Sequence, residues 1–265
     1  MAEIAIIGGT GVYDPDILEN VHEDRVETPY GIVSCKIGTY ADKEVAFIPR
    51  HGSHHSIPPH KINYRANIWA IKKIGVKKII ATTAVGSLNP AMKPGDFVLT
   101  DQFLDFTKNR INSFYEGGTR GVCHVDVTEP YCPILRADLA REGNALGIHI
   151  HNGGTYVCTE GPRFETPAEI KMFHILGGDL VGMTSVPEVV LAHEAEMCYA
   201  TISTVTNFAA GISPTKLTQQ EVLDTLTANG ANIKKLIMNT IASLCMDTTA
   251  CDCEHMLAEN GGFTL

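Results

Sequence analysis

Residues 3–11 read EIAIIGGTG, a short run of apolar and largely β-branched residues that ends in glycines. The run predicts a buried strand over 3–7 that leads into a tight turn at 8–11. A dinucleotide fingerprint would need a third glycine where Asp14 stands, and the GK[ST] ending of a P-loop is absent. The turn is therefore interpreted either as a plain tight turn or as a backbone that approaches an anion closely, with the Thr10 hydroxyl as an extra donor.

The same pattern continues along the chain, where short β-branched runs alternate with helical periodicity and predict an α/β fold. Predicted strands are 33–37, 45–48, 78–83, 97–100, 155–159, 180–181 and 197–205, and predicted helices are 63–74, 135–146, 166–176, one opening with Ser185 as its N-cap, and 218–246. A polar, aromatic and glycine-containing excursion over 107–131 is expected to be functional or interfacial. We predict one domain over 1–248 and a C-terminal tail over 249–265.

Composition narrows the class of protein. The 265 residues are 44% hydrophobic, and 21 Lys+Arg against 30 Asp+Glu give a net charge of −9. This balance argues against a nucleic-acid polymer or an anionic membrane as partner. The first residues carry neither a secretory signal nor a membrane span, and the eight cysteines are scattered, so a cytoplasmic location is expected.

Metal ligation is tested by the spacing of cysteines and histidines. His54, His55 and His60 resemble a ligand set, and His149 and His151 would share a strand face, but no HExxH or CxxC pattern accompanies them. No metal and no cofactor are predicted. The pair Cys251 and Cys253 is interpreted either as two accessible thiols on a tail or as a redox staple.

Polar side chains follow several predicted strands. Arg50 and His51 follow the strand at 45–48, and Thr82, Thr83 and Thr184 stand at the ends of two others. Ligands of α/β sheets bind at the carboxyl ends of strands, and Arg offers a fork of donors to phosphate oxygens. Strand ends that bring these donors to one cleft predict an anion site.

These segments resemble the trimeric purine nucleoside phosphorylases, specifically their methylthioadenosine phosphorylase branch. The resemblance follows the family's order along nearly the whole chain. Its motifs are IIGGTG (6–11), RHGSHHSIPPHKINYRANIWA (50–70), TTAVGSL (82–88), GVCHVDVTEPYCP (121–133), CTEGPRFET (158–166), GMTSVPEVVLAHEAEMCYA (182–200) and TNFAAG (206–211).

The resemblance implies one domain with a central mixed, partly barrel-like β-sheet flanked by α-helices, assembled as a trimer or a dimer of trimers. It places phosphate on Thr10, Arg50, His51, Thr83, Ala84 and Thr184. It places Met183 under the ribose and Phe164 against the purine. It also sends His124 into the neighbouring subunit's pocket, which would make the excursion over 107–131 an interface.

Three departures from the methylthioadenosine branch bear on the substrate. That branch typically has aspartates where this chain has Asn207 and Ala209, and a small hydroxyl residue at Glu165. An amide can donate to O6 and N7 of a 6-oxopurine, and a carboxylate can accept from its N1–H. Gln219, near Val222 in the nucleoside site, replaces a typically apolar residue and can bond a 5′-hydroxyl.

We therefore predict phosphorolysis of inosine and guanosine, with inorganic phosphate as co-substrate and release of free base and ribose 1-phosphate. Asn207, Glu165 and His51 are the expected catalytic residues, acting by charge stabilisation and positioning without a covalent enzyme intermediate. Phosphorolysis of methylthioinosine or methylthioadenosine, hydrolysis with water, and a non-catalytic purine or phosphate sensor remain open alternatives.

Overall fold

The computed structural model describes residues 2–10, 12, 18–52, 55–213, 216–258 and 262–265. They form an 11-stranded mixed sheet, which confirms the predicted α/β class. The strands are β1 (Ile4–Gly8), β2 (Glu19–Thr28), β3 (Gly31–Tyr40), β4 (Lys43–Pro49), β5 (Lys78–Ser87), β6 (Phe97–Leu99), β7 (Gln102–Phe106), β8 (Ile150–Asn152), β9 (Thr155–Thr159), β10 (Leu180–Gly182) and β11 (Cys198–Phe208).

Strand β5 is the centre of the sheet. Its first half pairs in parallel with β1, its end pairs antiparallel with β10, and its other edge pairs in parallel with β11 along nearly its whole length. The sheet branches there: one arm runs through β1, β4, β3 and β2, another through β10, β9 and β7, and a third through β11, β6 and β8. Since β4, β1, β5 and β11 are mutually parallel, their carboxyl ends lie at one edge.

Helices cover both faces of the sheet. They are α1 (Tyr64–Lys73), α2 (Pro133–Ala145), α3 (Pro167–Ile175), α4 (Ser185–Glu194) and α5 (Gln219–Ser243). Buried side chains of α1 and α4 belong to one apolar cluster with β1, β5 and β11, whereas those of α2 and α5 belong to a second cluster with the alternate residues of the same strands. Burial on both faces explains why β1 and β5 read as continuous apolar runs rather than alternating ones.

Most helix starts follow from their capping residues. Asn63 accepts from the N–H of Ala66 at the start of α1, Thr166 and Glu169 form a capping box at α3, and Thr218 accepts from the N–H of Glu221 at α5. The prediction that Ser185 caps α4 is wrong. The Ser185 hydroxyl lies 2.6 Å from the Tyr131 hydroxyl instead, and Thr184 occupies the N-cap position without a side-chain cap.

Three strands escape the sequence prediction. Only Val26 of the ten residues of β2 is buried, so this edge strand reads as a polar loop. Strands β7 and β8 are short and lie at the far ends of their arms, where one exposed edge permits polar side chains. The sheet is therefore larger than its apolar runs indicate.

The tail over 249–265 packs against the core over its described residues. Leu257 is fully buried, Cys253 is nearly so, and Phe263 stacks edge-on against Trp69. Glu196 accepts from the N–H groups of Leu257 and Phe263. The boundary at residue 248 stays a prediction.

Helix α5, with 25 residues, is the longest helix in the described ranges. None of the helices there combines the length and apolar character that a membrane crossing requires.

Candidate active site

A cavity of about 430 Å³ opens at the edge where β1, β4, β5 and β11 end. Of the residues predicted for the site, all except His124 and Thr82 line it. These are Thr10, Arg50, His51, Thr83, Ala84, Phe164, Glu165, Met183, Thr184, Asn207, Ala209, Gln219 and Val222. The fold therefore brings together residues that lie up to 212 positions apart in the sequence, from position 10 to position 222.

Met183 and Thr184 reach the cavity in another way than the sequence predicts. Strand β10 runs antiparallel to β5, so Met183 and Thr184 do not follow a strand that ends at the shared edge. They are carried back along β5 towards Thr83 instead. On its other side β10 packs closely against β9, where Gly182 leaves room for Tyr156: a Cβ there would meet the Tyr156 hydroxyl at 2.0 Å.

Arg50 is buried at the base of the cavity and held by a carboxylate. Its Nε and Nη2 donate to the two carboxylate oxygens of Glu188 at 2.7 Å each, and its Nη1 donates to the Thr82 carbonyl at 2.8 Å. Burial opposes the charged guanidinium, but the Glu188 carboxylate outweighs it and raises the pKa of Arg50. Of the five guanidinium N–H groups, the three bonds leave two for a ligand.

Glu188 and Tyr199 are functional residues that the sequence reasoning missed. Both are fully buried, and the Tyr199 hydroxyl donates to Glu188 Oε1 at 2.8 Å. A signal existed, because Glu188 is a lone acid within the apolar stretch VPEVVLA at 186–192. A carboxylate in such a stretch needs a buried cation as partner.

The glycine turn and β5 fix one another beside Arg50. The N–H of Gly9 donates to the Thr82 hydroxyl at 2.9 Å. A Cβ on Gly9 would lie 2.3 Å from the Thr82 carbonyl and 3.0 Å from Arg50 Nη1. The turn is thus a close backbone approach, although Gly11 lies outside the described residues.

His51 is neutral in this environment. Burial, followed by the Arg50 charge, lowers the pKa of its imidazole to about 4. Its Nδ1 lies 2.9 Å from the Ile57 carbonyl, which can only accept, so Nδ1 carries the proton. The nitrogen left for a ligand, Nε2, is then an acceptor, so the prediction of His51 as one of the anion donors is wrong for this tautomer.

Two hydroxyl residues complete this end of the cavity. The Thr83 hydroxyl lies 2.9 Å from the Ser203 hydroxyl on β11, and the Thr184 N–H donates to the Tyr156 hydroxyl at 3.3 Å. Arg50, Thr83, Thr184 and the half-buried Thr10 present hydrogen-bond donors around one space. This is the arrangement that an oxyanion requires.

Glu165 lies at the opposite end of the cavity. Its Oε1 accepts from the Thr159 hydroxyl at 2.6 Å, which leaves the other oxygen to a ligand. Burial raises the pKa of this carboxyl, and the Thr159 hydroxyl offsets part of that shift.

Asn207 offers a donor to the same end of the cavity. Its Nδ2 donates to the Phe208 carbonyl at 2.9 Å, and its Oδ1 accepts from the Thr206 hydroxyl at 2.7 Å. A carbonyl only accepts, so these two bonds determine which side of the amide carries the nitrogen. One N–H of Nδ2 is left to face a ligand.

Apolar side chains separate the two polar ends. Phe164, Met183 and Val222 line the cavity with Leu217, and the polar Gln219 stands among them as the first residue of α5. Met183 packs closely over Gly161, where a Cβ would meet its sulfur at 2.7 Å. Such walls suit a flat ring and a sugar, with polar groups fixing their orientation.

The remaining predicted residues lie elsewhere. His124 is exposed on the excursion, outside the cavity lining, and its predicted contact with a neighbouring subunit stays a prediction. Of the histidines weighed as metal ligands, His54 lies outside the described residues. His51 and His55 stack with ring centroids 4.4 Å apart, and His151 pairs with Asp96 at 2.8 Å.

Comparison with known proteins is consistent with this geometry. The family model of the phosphorylase superfamily matches residues 3–242. The chain is 60% identical to the probable 6-oxopurine nucleoside phosphorylase of Moorella thermoacetica, over 91% of this chain and 93% of that protein. It is 48% identical to the S-methyl-5′-thioadenosine phosphorylase of Nitrosopumilus maritimus, over 97% of each. A solved structure of methylthioadenosine phosphorylase from Schistosoma mansoni in complex with adenine superposes with a TM-score of 0.92 at 33% identity, over 97% of each chain.

Proposed function

The chain belongs to the phosphorylase superfamily, and from that premise we propose that it is a 6-oxopurine nucleoside phosphorylase. The reaction cleaves inosine or guanosine with inorganic phosphate and yields the free base and ribose 1-phosphate. The relative at 60% identity carries the corresponding name.

The observation that carries the proposal is the pair of side chains at the end of the cavity opposite Arg50, where the purine would bind. Glu165 offers a carboxylate oxygen, an acceptor, and Asn207 offers an amide N–H, a donor. Hypoxanthine and guanine present the complementary groups, an N1–H donor beside the O6 and N7 acceptors. Adenine shares the N7 acceptor but has an N1 acceptor in place of N1–H and an amino donor in place of O6. The Glu165 carboxylate would therefore face N1 without a proton between them, and the Asn207 N–H would be left with N7 alone.

The phosphate end supports the second substrate. The two remaining N–H groups of Arg50, together with Thr10, Thr83 and Thr184, are donors to phosphate oxygens. Neutral His51 can accept from a protonated phosphate oxygen, a group that inorganic phosphate retains near neutral pH. Since Glu188 neutralises Arg50, phosphate is held by directed hydrogen bonds more than by net charge.

The two ends together suit cleavage of a glycosidic bond. As the bond from C1′ to the base weakens, negative charge accumulates on the purine and positive charge on the ribose. The Asn207 N–H then donates to the purine edge more strongly, while phosphate at the other end attacks C1′. Positioning and charge stabilisation account for the chemistry without a covalent enzyme intermediate.

The 5′ end of the nucleoside favours a hydroxyl but leaves a second candidate. Gln219 offers hydrogen bonds to a 5′-hydroxyl, whereas the neighbouring Leu217 and Val222 offer an apolar surface. A 5′-methylthio group would contact that surface, so methylthioinosine is the second candidate substrate.

We also propose that the enzyme works in the cytoplasm as a trimer or a dimer of trimers. The described residues include all eight cysteines and contain no disulfide bond, as expected in a reducing compartment. The exposed apolar side chains of Ile175 and Leu176 at the end of α3, and of Val122 beside His124, are of the kind that subunit contacts bury. Light scattering coupled to size exclusion distinguishes these states from a monomer.

The test is base release from inosine, guanosine, methylthioinosine and methylthioadenosine, each with and without inorganic phosphate. We expect phosphate-dependent release of hypoxanthine and guanine, with ribose 1-phosphate as the second product. Release without phosphate would identify a nucleosidase, binding without release a sensor, and a preference for methylthioadenosine a methylthio-nucleoside enzyme. Each of these three outcomes would contradict the proposal.

A further inference from the structure

A second group of reactive side chains lies outside the cavity. Cys132, Cys198, Cys251 and Cys253 place all four Sγ atoms within 4.8 Å of one another. None of them lines the cavity. Cys132, Cys198 and Cys253 are buried and Cys251 is partly buried. The interpretation of residues 251 and 253 as accessible thiols on a tail is therefore wrong for Cys253.

The four residues come from three separate parts of the fold. Cys132 is the N-cap residue of α2, Cys198 is the first residue of β11, and Cys251 and Cys253 flank Asp252 in the tail. The Cys132 N–H donates to the Tyr199 carbonyl at 2.8 Å, which ties the start of α2 to β11. Folding thus brings together four cysteines that no local CxxC spacing predicts.

The spacing of the sulfurs fits tetrahedral coordination. Zinc–sulfur bonds of about 2.3 Å in a tetrahedron place neighbouring sulfurs about 3.8 Å apart. The Cys198 and Cys251 sulfurs lie 3.5 Å apart, and the limit of 4.8 Å holds for all pairs. Small movements of side chains bring such a set to the required geometry.

The surroundings hold the four sulfurs in one place, and one of them lies where negative charge is favoured. The Leu135 N–H donates to Cys132 Sγ at 3.5 Å, at the N-terminus of α2, where the helix dipole favours negative charge. Leu135, Leu139 and Leu244 belong to the same apolar cluster as Cys132, Cys198 and Cys253. Outer hydrogen bonds and an apolar shell of this kind orient the ligands of metal sites.

We propose that Cys132, Cys198, Cys251 and Cys253 bind one structural Zn²⁺ ion. Binding releases the four thiol protons to solvent and involves no change of oxidation state. Four protein ligands leave no open position on the metal, so the ion has no part in the chemistry of the cavity. This inference departs from the sequence expectation of no metal, and it does not rest on the proposed function.

The expected role of the ion is to fasten the tail to the body of the protein. It joins residues 251 and 253 to the starts of α2 and β11. Tyr199, next to Cys198 on β11, points its hydroxyl to Glu188 behind Arg50. The metal site therefore stabilises the start of β11, the strand that carries Tyr199. Asn207 lies at the other end of the same strand.

The experiment uses the full chain, purified under a non-chelating phosphine reductant and stripped of metal. Titration with Co²⁺ should produce the sulfur-to-metal charge-transfer and visible bands of a tetrahedral thiolate complex, saturating at one ion per chain. Zn²⁺ should displace the Co²⁺. Elemental analysis of protein isolated without chelators should give one zinc per chain.

The matched variants are a Cys251→Ser/Cys253→Ser double variant and Cys245→Ser, which removes an exposed cysteine outside the group. The double variant should bind metal at least about 100-fold more weakly, a larger loss than removal of an outer-shell partner causes. It should also lose the increase in Tm that Zn²⁺ gives the parent. Cys245→Ser should behave as the parent, and kcat should be equal in all three below their unfolding temperatures.

Two results would overturn the proposal. One is a reduced parent protein with four titratable thiols at these positions and no tetrahedral Co²⁺ spectrum. The other is protein trapped by alkylation at isolation whose mass shows a disulfide within the group and no zinc. Both measurements use the parent chain, so they decide the question even where the double variant fails to fold.

Discussion

At the scale of single residues, the least expected feature is the pairing of Arg50 with Glu188. Both side chains are fully buried and joined by two hydrogen bonds of 2.7 Å. Glu188 both orients the guanidinium and neutralises it, so two N–H groups remain directed to the cavity. The donors that Arg50 offers to the cavity are therefore set by Glu188, a residue that does not line it.

Glu188→Gln should destabilise the protein by about 3–5 kcal/mol, because it leaves the buried guanidinium without its counter-charge. Thermal or urea unfolding in phosphate-free buffer measures the loss. Tyr199→Phe is the matched control, since it removes one hydrogen bond to the same carboxylate, worth about 1 kcal/mol. A Glu188→Gln variant as stable as Tyr199→Phe would show that the ion pair does not hold Arg50.

His51 makes stability depend on pH. Its folded pKa, about 4, lies below the ordinary value of 6.5, so the unfolded chain binds more protons between these values. The free energy of unfolding should therefore fall as the pH drops from 6.5 to 4, by up to about 3 kcal/mol from this residue.

Urea unfolding of the parent and of His51→Gln at pH 4.5 and pH 7 measures the contribution of His51 to the free energy of unfolding. The parent should lose more stability between the two pH values than the variant, and the exposed His22→Gln should lose as much as the parent. An equal loss in the parent and in His51→Gln would contradict the neutral assignment of His51.

At the scale of elements, the site depends on how closely β5 is approached from both sides. The Gly9 turn lies against Thr82, and β10 returns along β5 to bring Thr184 beside Thr83. Thr82 contributes its hydroxyl to the turn and its carbonyl to Arg50. A single residue of the central strand thus sets the position of both the glycine turn and Arg50.

Gly9→Ala should disturb both at once, because its Cβ would lie 2.3 Å from the Thr82 carbonyl. We expect a loss of about 1–3 kcal/mol in stability and a KM for phosphate raised roughly tenfold, about 1.4 kcal/mol. Phosphate-saturation kinetics and urea unfolding provide the two numbers.

Gly230→Ala in α5 is the control, since nothing lies within 4 Å of its added Cβ. It should stabilise the helix by about 0.5–1 kcal/mol without changing the KM for phosphate. If Gly9→Ala likewise left the KM for phosphate unchanged and did not destabilise the protein, the close approach of the turn to β5 would matter neither for stability nor for phosphate binding.

At the scale of the whole molecule, the sequence predicts what apolar runs and caps dictate. Strands β1, β5 and β9 and helices α1 and α3 lie within about a residue or two of their predicted bounds or contain them. Strand β2 escapes prediction because Val26 alone among its residues is buried. Its position depends on pairing with β3, which no local pattern records.

The candidate site follows the same division. Residues at the ends of predicted strands, such as Arg50 and Thr83, are found by their position after apolar runs, whereas Asn207 is found only through the family resemblance. Glu188 is found by neither route: its place in an apolar stretch indicates a buried ion pair, but the partner that completes the pair lies 138 residues away. The cysteine group is missed for the same reason, since its members come from three distant segments that only tertiary folding joins.

Glu165 and Asn207 together are proposed to select 6-oxopurines over adenine. The measurement that tests this is the ratio of kcat/KM for inosine to that for adenosine, in the parent and in a Glu165→Gln/Asn207→Asp double variant, at saturating phosphate. The double variant exchanges acceptor and donor, and Thr159 can still donate to residue 165.

Because a site built to hydrogen-bond one ring rejects the mismatched one, the parent ratio should exceed about 100. The double variant should lower that ratio by at least about 100-fold, from two mismatches of about 1–3 kcal/mol each. A parent ratio near one, or a ratio that the exchange leaves unchanged, would contradict the account.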